Sequence, residues 1–138
     1  MIQEDRVSFE TARLLKEKGF DYASFHCYEE KEADSILFVT LSAPLSNSDL
    51  DNTIEPHKCY SAPSLQVAMK WLRSNFNLNP VPYALSLGWA FDIFDLSDRD
   101  ITGCKKLYSM DFHAKSTCYE TYEEAAEAAI RYCLENLI

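Results

Sequence analysis

Glycine, basic charge and long apolar runs are all scarce in this sequence, and each scarcity closes off a class of function. Its three glycines, Gly19, Gly88 and Gly103, stand far apart. No glycine-rich loop is therefore available to cradle a phosphate with backbone N–H groups. Five prolines among 138 residues exclude collagenous and low-complexity readings. Lys and Arg number 13 against 22 Asp and Glu, for a net charge of −9. Binding to a phosphate backbone rewards Lys and Arg through counterion release, so neither nucleic acid nor an anionic membrane is expected as a partner. Apolar runs such as Ile36 to Val39 are far too short to span a bilayer. The opening stretch MIQEDRVSFE has no apolar segment behind a basic start, so a secretory signal is not expected and a cytoplasmic location is.

The acidic excess is spread along the chain. The first 62 residues hold 12 acidic and 6 basic side chains, and the remainder 10 and 7. Such a spread reads first as a solvated, self-repelling surface, and second as an acidic face for a basic partner, DNA mimicry included. The cysteines are Cys27, Cys59, Cys104, Cys118 and Cys133, with no Cys-x-x-Cys among them. An odd count without a secretion signal points to reduced thiols.

The length suits one domain, and 47% hydrophobic with 25% charged residues is ordinary globular composition. Three segments read as helices with hydroxyl caps, starting at Ser8, Ser64 and Thr121. Glu124 completes a capping box with Thr121. The first helix buries Phe9, Ala12 and Leu15 and stops at Gly19. The second runs to about Asn77 with Leu65, Ala68, Met69, Leu72 and Phe76 on its apolar stripe, while Trp71 and Val67 project off it. The third carries a stripe of Tyr122, Ala125, Ala126, Ala129, Ile130, Cys133 and Leu137, whose small alanines suit close approach to a sheet.

Between the helices, Asp21–Glu29 and Ser35–Ser42 read as a hairpin. Val81–Leu96 and Leu107–Lys115 read as further strands, separated by a polar turn over Ser97–Asp100. The expectation is a single α+β domain over residues 1–138, in the order α-β-β-α-β-β-α, with a mostly antiparallel sheet covered by helices. The similar helix starts hint at an internal duplication, although capping chemistry alone produces such likeness. Residues 43–63 read as a long polar loop, and loops of that length are often functional or mobile.

Candidate chemistry is sparse. All three histidines lie near cysteines, but no spacing matches a tetrahedral zinc module, so no metal and no cofactor is expected. The catalytic candidates are Cys59 as nucleophile with His57 or His113 as base. The i,i+2 spacing of His57 and Cys59 would place both on one face of a strand, yet no oxyanion segment accompanies them. Asp92, Asp95, Asp98 and Asp100 suit solvent-facing positions, and nothing marks them as acids of raised pKa. Among the many aromatics, Tyr60 at the end of the loop and Trp71 off its helix stripe are the candidate binding residues, since exposed rings anchor partners. Flank packing is the plainer role for Trp71.

The run Tyr60-Ser61-Ala62-Pro63-Ser64-Leu65, continued by Lys70-Trp71-Leu72-Arg73, resembles small uncharacterised proteins of gut Bacteroidetes, their phages and mobile elements. Those proteins carry a Tyr…Ala-Pro-x-x-Ser-Leu…Lys-Trp-Leu-Arg helix. Ala12–Phe20 and Tyr122–Ala128 match two further blocks, so the likeness covers most of the chain. Ser64, where Thr-Gln-Ser is more usual nearby, and the long hydrophobic Val81–Leu96 segment depart from the pattern. The resemblance implies no activity. The functional expectation is a non-enzymatic interaction protein of phage or mobile-element origin with an unknown protein partner. The alternative is a small-molecule binder or cysteine enzyme built on residues 57–60.

The cysteine count makes one prediction: thiol alkylation of the unfolded, unreduced chain should modify five cysteines by intact mass. A smaller number would reveal a disulfide.

Overall fold

The computed structural model describes residues 5–32, 35–53, 59–110 and 118–138. Contacts cluster into two compact units, Met1–Ser64 and Leu65–Ile138, and each opens on an α-β-β run. The class is α+β, with two antiparallel three-stranded sheets.

The first unit contains α1 (Phe9–Glu17), β1 (Ser24–Lys31), β2 (Ser35–Leu45), α2 (Asn47–Thr53) and β3 (Cys59–Ser61). Ser8 caps α1 as expected, its Oγ accepting from the Thr11 N–H at 3.4 Å. Gly19, at φ +93°, ends the helix. Its N–H donates to the Lys16 carbonyl and that of Phe20 to the Leu15 carbonyl, which is a Schellman stop that needs a left-handed residue. Leu15 and Phe20, the two positions that commonly pack together in such a stop, are both buried.

The sheet order is β2-β1-β3. Cys27 faces Val39 on one side and Ser61 on the other, and Tyr28 faces Phe38 and Tyr60. Side chains alternate faces along a strand, so the sheet presents two different surfaces. One carries Cys27 and Cys59, which cluster with Leu50 of α2 and with Val39, Leu41 and Leu45. The other carries Tyr28, Phe38 and Tyr60, with Phe9 of α1 set edge-on to Tyr28 and Tyr60.

Residues 43–63 were expected to form a loop, and their described part is structured. The end of β2, α2 and β3 all fall within them. Ser46 and Asp49 bond each other's backbone N–H at 3.2 and 3.0 Å, a capping box written with aspartate. Asn47, only 5% exposed, donates its amide to the Phe20 carbonyl and accepts from the Ser61 N–H, both at 2.8 Å. The polar residues that looked like loop filler are the cap and staple of a short helix.

The second unit contains α3 (Leu65–Phe76), β4 (Leu78–Leu85), β5 (Gly88–Asp100), β6 (Gly103–Ser109), α4 (Tyr122–Tyr132) and a π-helical turn over Cys133–Leu137. The sheet order is β4-β5-β6. The expected strand Val81–Leu96 is in fact a hairpin, paired Leu85 to Gly88 across Ser86 and Leu87. Gly88 is required there by close approach: a Cβ would lie 2.6 Å from the Tyr119 carbonyl oxygen, which the Trp89 N–H meets at 2.7 Å. The expected turn over Ser97–Asp100 belongs to β5. Its register breaks between Asp95 and Arg99, and the chain reverses at Ile101–Thr102. The order α-β-β-α-β-β-α is corrected accordingly to α-β-β-α-β-α-β-β-β-α.

In α4, Thr121 accepts from the Glu124 N–H at 3.1 Å, but Glu124 reaches back to the N–H of Glu120, one residue before the cap. Ala125, Ala126, Ala129 and Ile130 are buried, and this flat stripe lets α4 lie against β4 and β5. Trp71 is buried with the α3 stripe at 4% exposure, its ring edge-on to Phe76 at 5.0 Å. Trp71→Ala should therefore cost roughly 3–5 kcal/mol in denaturant melts, as large core truncations do. Leu87→Ala, at a site 78% exposed, should stay within about 0.5 kcal/mol. A Trp71→Ala loss as small as that of Leu87→Ala would contradict the buried placement.

Candidate interaction surface

A sheet ends in two strands whose outer N–H and C=O groups have no partner, and proteins protect such edges. Three of the four edges here are protected. β4 carries Pro80 and Pro82, which have no N–H to offer an incoming strand. β6 carries Lys105 and Lys106, and edge lysines oppose docking. β3 has three described residues, which is little template. The fourth edge, β2, has eleven residues, SILFVTLSAPL. It has no charge, and its single proline comes next to last. Among the described residues no strand pairs with its outer side.

Its side chains are as unusual as its edge. Ile36, Leu37 and Phe38 are 41%, 48% and 47% exposed, and Phe25 of β1 is 51% exposed. A continuous apolar run ordinarily marks a strand buried on both faces. Here it lies at the rim, with Ile36 and Phe38 on one face and Leu37 on the other.

The face of Phe38 is braced from within. Rings run from Phe9 to Tyr60 and Tyr28, at 5.4 and 5.9 Å, then from Tyr28 to Phe38 at 5.3 Å. His26 stacks on Phe38, 5.2 Å away and 10° from parallel. Its buried Nδ1 has no hydrogen-bond partner among the described residues, and burial, with the nearby Arg6 charge, lowers its pKa. Tyr60 is fixed by a hydroxyl bond to Glu30 at 3.2 Å and by Lys16, whose Nζ lies 5.1 Å from the ring centroid. Burial first, and Glu30 second, raise the Tyr60 pKa. Ring edges and faces attract at these separations, so the half-exposed Phe38 sits on a rigid aromatic row.

The rim beside the patch is acidic. Glu30 is opposite Ile36 and Glu29 opposite Leu37, one on each face. Glu29 meets Lys31 at 3.4 Å, and Glu32 follows at the end of the strand.

The sequence-based candidates distribute differently. Tyr60 belongs to the aromatic row as a support for Phe38. Trp71 lies in the core of the second unit. Cys59 is 1% exposed; burial raises its thiol pKa, and Glu29 adds to the effect. Catalytic thiolates need the opposite environment. Lys16 is engaged with the Asp51 carboxylate at 2.6 Å and the Cys59 carbonyl at 2.9 Å. His57 and His113 lie outside the described residues. Among those described, no group of three His, Cys, Asp or Glu side chains is placed to hold a metal, and no helix is long and apolar enough to cross a membrane.

An open hollow of about 430 Å³ lies at the β5–β6 tip between Asp98, Asp100, Thr102 and Lys105. Asp100 is bonded by Thr102 and nearby Asp95 by Ser97. These bonds lower both carboxyl pKa values, which is the wrong direction for a general acid. No family model, curated protein or solved structure matches the chain.

The signal missed in the sequence was the combination of a continuous apolar run, an absence of charge and a place beside an acidic turn. Position at the sheet edge is what turns that run into a surface.

The buried thiols generate a pH prediction. Burial pushes Cys27 from its ordinary 9.0 up to about 11 and shifts Cys59 the same way. The folded state then holds protons that the unfolded state releases first. Stability from this source is whole below about pH 9 and should fall as pH rises towards 11. Denaturant midpoints measured across that window should decline, less steeply in Cys27→Ala. At pH 7 the native protein should be alkylated first at the half-buried Cys104 and Cys118. Fast modification of Cys59 would contradict the inert assignment.

Proposed function

We propose that the protein is a non-enzymatic interaction module whose contact surface is the β2 edge with Phe25, Ile36, Leu37 and Phe38. The observation that carries this reading is the contrast among edges: proline, lysine or shortness protects the other three, and β2 has none of these over Ser35–Ala43. Solvent exposure of large apolar side chains on such an edge marks interaction or aggregation, and a chain of net charge −9 has the self-repulsion that keeps copies apart. The buried, proton-holding environment of Cys59 weighs against thiol catalysis. The resemblance to proteins of gut Bacteroidetes, their phages and mobile elements gives the setting in which to seek the partner.

The test compares capture from a host lysate by three immobilised proteins: wild type, Ile36→Ser/Leu37→Ser, and Leu87→Ser. Leu87 is more exposed than either β2 residue and lies in the other unit. A protein retained by wild type and Leu87→Ser but lost from the double variant is expected. Equal capture by all three would overturn the assignment of the surface.

A further inference from the structure

The surface proposed above also specifies the chemistry of what it would hold. We infer that the β2 edge accepts an extended, apolar peptide segment with Lys or Arg at one end, added antiparallel or parallel as a fourth strand of the β2-β1-β3 sheet. This inference rests on the interaction reading of the same edge.

The extended form follows from the edge. A strand offers alternate N–H and C=O groups outward, and another strand satisfies them in series. The apolar middle follows from the side chains. Beyond the Ile36 and Leu37 rows, which face the acids of β1, an added strand places its residues beside Phe38 on one face and beside Val39 and Leu41 on the other.

The basic end follows from charge. An added strand lies about 4.8 Å from β2, and therefore about 10 Å from β1, within reach of a lysine or arginine stem leaning across β2. The β1 residues in those rows are Glu30, opposite Ile36, and Glu29, opposite Leu37. Glu30 accepts a bond from Tyr60 through Oε2, and Glu29 is only loosely paired with Lys31 at 3.4 Å. With Glu32 added, the described residues of this rim include three acids and one cation, Lys31. One acid lies on each face, so two successive cationic residues of the peptide, pointing to opposite faces, would meet one carboxylate each.

A second copy of this chain fits less well. Self-pairing would set neutral β2 residues beside Ile36 and Leu37, leave the acidic rim uncompensated and bring together two chains of net charge −9.

The test uses synthetic ten-residue peptides: alternating Val and Thr with Lys-Lys at one end, the same core with Glu-Glu, and two forms of the Lys-Lys peptide, N-methylated at the odd or at the even backbone amides. Each is labelled and titrated with the full chain by fluorescence anisotropy, at low and at 0.5 M salt. The Lys-Lys peptide should bind at least tenfold tighter than the Glu-Glu peptide and lose that margin at high salt. At least one alternate N-methylation pattern should abolish binding. Leu37→Lys, and independently Leu37→Ser, should weaken binding at least tenfold with an unchanged denaturation midpoint. Equal binding of the two charged peptides would overturn the basic end, and equal binding of every N-methylated form would overturn strand addition. Sedimentation showing a dimer that Leu37→Lys dissociates would assign the edge to a second copy instead. Failure of every peptide beside continued β2-dependent lysate capture defeats this inference alone; loss of that capture as well defeats the interaction reading.

Discussion

Backbone polar groups need partners, and a short open sheet cannot provide them all. Two three-stranded sheets create four edges, and the way each is finished organises the surface of this protein. Pro80 and Pro82 remove donors from β4. Lys105 and Lys106 charge β6, with Lys106 also drawn to Asp92 at 3.3 Å. β3 is too short to matter. Among the described residues only β2 combines length, neutrality and apolar side chains at an edge, so the constraint met by protection elsewhere is left open there.

The exposed edge depends on a well-fixed interior. Asn47 joins the Phe20 carbonyl to the Ser61 N–H, which ties the end of α1 to β3 through a buried amide. Losing such a group would leave buried polar atoms unsatisfied, a cost of roughly 1–3 kcal/mol each. β3 in turn aligns Tyr60 with Tyr28 and Phe38. The row passes from the α1 contact at Phe9 to the half-exposed ring of Phe38, so the patch is held by packing on one side and open on the other. Pre-ordered aromatic surface loses little side-chain entropy on contact.

Much of this fold was legible in the chain. Ser8, Gly19 and Thr121 announce helix ends through local chemistry, and all three act as read. The β1–β2 hairpin and the α3 stripe follow from periodicity. What was not legible depends on contacts distant in sequence. Ser46–Asp49 is a capping box too brief to stand out among polar neighbours, and Asn47 gains its meaning only from Phe20 and Ser61. Gly88 marks a turn because Tyr119 approaches it. Trp71 lies off the apolar stripe of its helix, yet packing with Phe76 buries it. The exposed apolar edge was hidden in the same way: Ile36–Val39 has the composition of a central strand, and no local signal places it at an edge.

Amide hydrogen exchange along Ser35–Ser42 tests the open edge most directly. The account predicts alternation, with N–H groups directed at β1 protected and those directed outward exchanging at nearly free rates. Uniform protection along the strand of the isolated protein would show the edge already covered, and would contradict it.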